Sequence, residues 1–267
     1  MTQPACPAIL VFDIDGVIRD VGGSYRLALA DTVEQFTQQY RPSSAEIDQL
    51  KTEGCWNNDW EASRELIYRY FEAQGQPRQS VALDYEAVVA FFQRRYRGAD
   101  PTHWTGYICD EPLLIQPDYL EALTQAGISW GFFSGATRGS ASYVLQKRLG
   151  LAAPILIAME DAPGKPDPTG LLLTVQQLEA RDQLPLGLPV IYAGDTVADL
   201  QTVQRATALQ PERRWIGVGI LPPHAQSAAD YAETYALNLK RAGAETILKN
   251  ISQLDSTCVW RLLTEAA

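Results

Sequence analysis

Ala8-Ile-Leu-Val-Phe-Asp-Ile-Asp-Gly-Val17 sets five apolar residues, β-branched and aromatic among them, before two aspartates one residue apart and a glycine. A short apolar run of this kind closed by a glycine turn reads as a buried strand of a parallel sheet. Side chains alternate along a strand, so Asp13 and Asp15 are expected on one side and Ile14 on the other. Two carboxylates in that position need positive compensation. Open parallel sheets bind their ligands at the carboxyl ends of strands, which is where this pair falls.

The chain of 267 residues, 46% of them hydrophobic, is long enough for one large domain or for a core with a smaller companion. A formal net charge of −10 argues against a broad nucleic-acid surface and against attraction to anionic lipid, so any phosphate is bound locally. No basic segment precedes the first apolar run, and no run approaches transmembrane length; a cytoplasmic location is the expectation. Cys6, Cys55, Cys109 and Cys258 lie far apart, and His103 and His224 are isolated. Neither a zinc site nor a disulfide framework is indicated.

Beyond the opening strand, Tyr25, Leu29, Val33, Phe36 and Tyr40 recur at helical spacing until Pro42. Ser43 to Glu46 matches a capping box for a second helix, Asp59 suits the cap of a third, and Asp84 that of a fourth. The second quarter is therefore a helical insertion. From Leu113 helices alternate with short apolar strands: Ile128–Phe133, Pro154–Ala158, Pro189–Ala193 and Trp215–Ile220, with a last short strand near Thr246 to Leu248. That alternation is the mark of a parallel α/β sheet. Residues 1–18 with 115–267 form the expected core and 19–114 the insert.

Polar groups fall at the ends of successive strands: Asp13 and Asp15, then Ser134, then Lys165 before its helix, then Asp195 and Asp199. Singly each is a common cap or turn residue. Their order and placement make the set specific. The motifs DIDGV, FFSGA, GKPDP and GDTVAD resemble, in sequence order, those of the haloacid dehalogenase-like superfamily, whose phosphatases carry DxDG(T/V), Ser/Thr, a Lys turn and GDxxxD. The resemblance implies a Rossmann-like core with helices on both faces and a smaller all-α cap domain inserted after the first strand.

A carboxylate of unperturbed pKa near 3.9 is ionised at neutral pH, so Asp13 needs no base to attack phosphorus. The resemblance implies that Asp15 protonates the leaving alkoxide and then deprotonates the water that cleaves the aspartyl-phosphate. Neighbouring like charge raises a carboxyl pKa, which favours the acid form that role begins from. Two unit charges 4 Å apart repel by roughly 4 kcal/mol at an effective dielectric near 20. Several carboxylates facing a phosphate dianion therefore call for more than Lys165. Oxygen ligands without histidine or cysteine favour Mg²⁺. A side-chain oxygen of Asp13, the carbonyl of Asp15 and a side-chain oxygen of Asp195 are the expected ligands. Asp199, placed four residues on and on the same helix face as Asp195, would hold a metal-bound water or Lys165.

Lys165, Ser134, the Gly135 N–H and the backbone N–H groups of Ile14 and Asp15 are the candidate phosphoryl donors, Lys165 being directed by a rigid turn in which Asp167 caps the next helix and Pro168 is its first residue. Arg19 and the loop Trp56-Asn57-Asn58 are candidates to face the leaving group, each equally readable as a solvated charge or internal packing; Arg138 is a further basic residue near the site or a surface partner. Within the family, dehalogenases lack the second aspartate, present here as Asp15, and phosphonatases use a cap lysine, for which the insert offers only Lys51. The leading expectation is a Mg²⁺-dependent phosphatase acting on a small phosphorylated metabolite. A sugar-phosphate mutase and a non-catalytic regulatory binding protein are the alternatives. Oligomeric state is left open.

Overall fold

The computed structural model describes residues 6–56 and 58–265. The chain divides into two compact units, residues 1–20 with 113–267 and residues 21–112. Strand β1 (Ile9–Phe12) opens the first unit and is buried throughout. The second unit follows, with α1 (Tyr25–Thr37), α2 (Ser44–Lys51), α3 (Asp59–Ala73) and α4 (Tyr85–Tyr96). The chain then returns to the first unit. There it forms α5 (Pro117–Gln125), β2 (Ser129–Phe133), α6 (Arg138–Ser142), β3 (Leu156–Ile157), α7 (Thr169–Asp182), β4 (Val190–Gly194) and α8 (Val197–Leu209). The remaining elements are β5 (Trp215–Ile220), α9 (Ala229–Arg241), β6 (Thr246–Leu248) and α10 (Ser256–Thr264).

Among the described residues, six strands lie in the order β3-β2-β1-β4-β5-β6. Every pairing is parallel, with Phe12 level with Phe132 on one side and Ala193 on the other. Period-two alternation then builds two cores. Leu10, Phe12, Ile191 and Ala193 join residues of α5, α6 and α10 on one face. Ile9, Val11 and Tyr192 join Leu171, Val175 and Leu178 of α7 on the other. Apolar residues on both faces explain why β1 reads as a continuous hydrophobic run. Strand order and parallel pairing put the ends of β1 and β4 side by side, and β2 on the other flank of β1.

The second unit is helical among its described residues. Tyr25 of α1 meets Phe92 and Tyr96 of α4 edge-on, at centroid distances of 5.0 and 4.6 Å. Ser43 and Glu46 form the capping box of α2, and Asp84 caps α4. Asn58, rather than Asp59, caps α3.

Other boundaries move as well. Strand β3 is two residues long where five were expected, because it is an edge strand that pairs only with Phe132 and Phe133. The following turn also shifts by one: Pro168 is the cap residue and α7 starts at Thr169, whose N–H is taken by the Asp167 carboxylate at 2.9 Å. The helix after β2 has Thr137 as its cap and widens over Tyr143–Arg148. No helix among the described residues is long and apolar enough to cross a membrane.

Candidate functional site

The chain leaves β1 at Asp13, whose N–H bonds the Ala193 carbonyl of β4 at 2.9 Å. Asp13 is buried, and its carboxylate meets the Lys165 ammonium at 2.8 Å. The same ammonium lies 2.7 Å from Asp199 Oδ1. Phe133 and Tyr192 present ring faces to it at 5.1 and 5.4 Å. A cation with a side chain only 1% exposed is tolerable here because it has two anionic partners.

Asp195 follows β4 directly. Carboxylate oxygens of Asp13, Asp195 and Asp199 lie within 4.8 Å of one another, all three residues buried. Gly16 makes room for this approach: its φ is +75°, and a Cβ there would lie 2.1 Å from Asp195 Oδ2.

Asp195 and Asp199 do not share a helix face. Thr196 caps α8, so Asp195 stands before the helix and Asp199 is its third residue. Asp199 Oδ2 accepts from the Thr196 N–H at 2.9 Å and from its hydroxyl at 2.6 Å, while Oδ1 accepts from Tyr192 at 2.9 Å. Both oxygens are thus occupied, one of them also by Lys165; against burial, which pushes it up, the Lys165 ammonium and the two Thr196 donors hold the Asp199 carboxyl below its usual range.

At Asp13 burial prevails. Removal from water, with Asp199 and Asp15 adding like charge, raises its carboxyl to about 7 although Lys165 pulls down. Asp13 thus departs from the unperturbed value assumed from sequence. Lys165 is raised by Asp13 and Asp199 despite its burial, and so stays charged.

Asp15 is half-buried and turns to Arg19, whose Nε and an Nη reach its Oδ1 at 2.6 and 2.5 Å. Arg19, a candidate to face a leaving group, is fully buried in the first unit, its carbonyl accepting from the Gly16 N–H at 2.9 Å. Ile14 packs in the core. Ser134 is buried after β2, where its hydroxyl oxygen accepts from the Ala136 N–H at 3.1 Å, and Gly135 is half-buried beside it. Arg138 is tied to Asp161 and to the Leu156 carbonyl. In the second unit the Trp56 indole donates to Glu53 at 2.6 Å; Asn57 lies outside the described residues.

A family model described as haloacid dehalogenase-like hydrolase matches residues 7–207. The chain belongs to the haloacid dehalogenase-like hydrolases. A curated relative, imidazoleglycerol-phosphate dehydratase of Phytophthora nicotianae, is 28% identical over 248 residues, covering 90% of this chain and 49% of its own. The chain thus spans about half the length of that relative. Among solved structures, a phosphonoacetaldehyde hydrolase-like protein from Oleispira antarctica aligns with a TM-score of 0.68 at 17% identity, covering 100% of this chain and 98% of that one. Phosphatase Tt82 from Thermococcus thioreducens aligns with a TM-score of 0.60 at 20% identity, covering 79% and 92%. At such identities the likeness is one of fold.

Two features of this hydrolase escaped the sequence. Tyr192 reads as one more apolar strand residue, yet its hydroxyl is a donor to the buried carboxylate network. Thr196 reads as part of a spacing between aspartates, yet it anchors Asp199. The threonine had a signal, since Thr followed three residues later by an acid is a helix-start pattern; the tyrosine had none.

Proposed function

We propose that this hydrolase is a phosphatase that transfers the phosphoryl group of a small phosphate monoester to Asp13 and then to water. The observation that carries the reading is the meeting of Lys165 with Asp13 and Asp199, and of both carboxylates with Asp195, at the adjacent carboxyl ends of β1 and β4.

Three buried carboxylates against one ammonium fit a divalent cation. The donors are hard oxygens, and carboxylate oxygens of Asp13 and Asp195 within 4.8 Å of each other can both lie at about 2.0–2.6 Å from one cation. Asp13, the carbonyl of Asp15 and Asp195 would hold it, while Asp199, with both oxygens engaged, orients Lys165 and the start of α8. Mg²⁺ is the cation this donor set favours. When bound it would supply positive charge beside the phosphoryl oxygens and hold Asp13 ionised.

Asp13 attacks phosphorus in line with the leaving oxygen, which departs with a proton from Asp15; the ester P–O bond breaks as the aspartyl P–O bond forms. Asp15, now ionised, takes a proton from water, which attacks the same phosphorus and restores Asp13. Lys165, Ser134, Gly135 and the N–H groups of Ile14 and Asp15 are the proposed donors to the phosphoryl oxygens. Lys51, the one lysine of the insert, is engaged with Asp59 at 2.9 Å rather than free to attack a carbonyl. That supports ester hydrolysis over phosphonate cleavage.

Release of inorganic phosphate from a panel of small esters, with and without Mg²⁺, tests the proposal. Imidazole-bearing alcohol phosphates head the panel, since the curated relative is named for such a compound, followed by sugar phosphates and p-nitrophenyl phosphate. The expected result is Mg²⁺-dependent release by the wild type and none by Asp13→Asn. Equal release by both removes Asp13 from the reaction. Isomerised sugar phosphate without release points to the mutase instead.

A further inference from the structure

We propose that Tyr235 is a positioning residue for the cation site, acting through the main chain of Asp195. This rests on the divalent-cation reading above. The family match ends at residue 207, and Tyr235 lies beyond it on α9. Its hydroxyl donates to the Asp195 carbonyl at 2.9 Å. The other end of the same peptide, the Thr196 N–H, donates to Asp199 Oδ2 at 2.9 Å. The peptide between the ligand and the helix cap is therefore clamped at both ends. The Asp195 carboxylate is fenced on a third side by Gly16, where even a methyl group would collide.

The phenol is delivered by a ring that is itself held. His224 lies edge-on at 5.9 Å and Tyr231 at 6.3 Å, each with an interplanar angle of 81°. A rigid ring at a fixed height above the loop locks the ψ of Asp195, and with it the direction in which the carboxylate leaves the backbone. Partners behind a ligand typically contribute about 10–100-fold to affinity. Because this one bonds a neutral carbonyl rather than the ligand's side chain, the low end applies.

The test is calorimetric titration of the whole chain, freed of metal, with Mg²⁺ alone at fixed pH. Tyr235→Phe keeps the ring and deletes only the donor. The expected result is affinity about tenfold weaker, an unchanged circular dichroism spectrum, and turnover that recovers at saturating Mg²⁺. Wild-type Mg²⁺ affinity in Tyr235→Phe overturns the proposal, and a lower melting temperature with that affinity assigns the hydroxyl to stability alone. Asp195→Asn separates the two levels of inference. If it binds Mg²⁺ as the wild type does, or the wild type binds none, the cation site itself is refuted. If it loses binding while Tyr235→Phe does not, only the role of Tyr235 falls.

Discussion

Lys165→Met isolates the charge balance of the site. The substitution keeps the length and apolar contacts of the stem but removes the ammonium from between Asp13, at 2.8 Å, and Asp199, at 2.7 Å. Breaking a buried ion pair by deleting one partner costs about 3–5 kcal/mol. An independent figure agrees: with carboxylate oxygens at up to 4.8 Å, each ionised pair repels by about 3–4 kcal/mol at an effective dielectric near 20. Asp13 can escape part of this cost by taking a proton, so a loss near 3 kcal/mol is expected at pH 8 and less at pH 5. Because the chain has two units, the readout is urea-dependent hydrogen exchange of the β1 and β4 amides in divalent-free buffer, which reports on the sheet itself. The double variant Asp13→Asn/Lys165→Met removes one of the stranded carboxylates. It should be more stable than the sum of the single changes by about 1–3 kcal/mol. Additive losses, or a loss below about 1 kcal/mol for Lys165→Met at pH 8, would refute the view that this lysine offsets buried negative charge.

Three further outcomes follow from the same geometry. In the cation-free protein Asp13 is raised from 3.8 to about 7, so the native state holds this proton more tightly than the unfolded chain. Its contribution is present below the lower value and is lost as pH rises through the upper one; wild type measured against Asp13→Asn should lose stability across that window, and added Mg²⁺ should flatten the loss. A pH-independent difference would count against the burial-driven shift. Gly16→Ala puts a methyl group against Asp195 at a left-handed φ of +75°; it should cost about 1–2 kcal/mol in backbone strain alone and weaken Mg²⁺ binding, read by unfolding and calorimetry. Wild-type affinity in that variant would mean the Asp195 carboxylate is placed elsewhere. Tyr192→Phe leaves Asp199 without one donor in a buried setting and should destabilise the sheet by about 1–3 kcal/mol, again by hydrogen exchange, while the ring still faces Lys165; no loss would show that the hydroxyl bond is idle.

Much of this protein is written locally. The apolar run from Ala8 to Phe12, the cap at Ser43 with Glu46 and the β5 span Trp215–Ile220 depend on neighbours within a few residues, and so could be read in order along the chain. The order of Asp13, Ser134, Lys165 and Asp195 identifies strand ends, which parallel pairing then gathers at one edge. Boundaries set by long-range pairing were less legible: β3 shrinks to Leu156–Ile157 because only Phe132 and Phe133 are there to bond it.

Residues whose roles arise through space were not legible at all. Arg19 lies four residues from Asp15, and nothing in that spacing says that a tight turn will bury the guanidinium against the carboxylate. Tyr192 and Tyr235 look like packing aromatics until a hydroxyl is seen on Asp199 or on the Asp195 carbonyl. Nor does the sequence show that Asp13 is driven up toward neutral pH while Asp199 is driven down. Periodicity and capping are properties of a short stretch of chain, so the sequence by itself determined the elements and the candidate acids. Hydrogen-bond partners and desolvation belong to atoms brought together from distant segments, and only the tertiary structure decided which carboxylate is paired, which is raised, and what holds each in place.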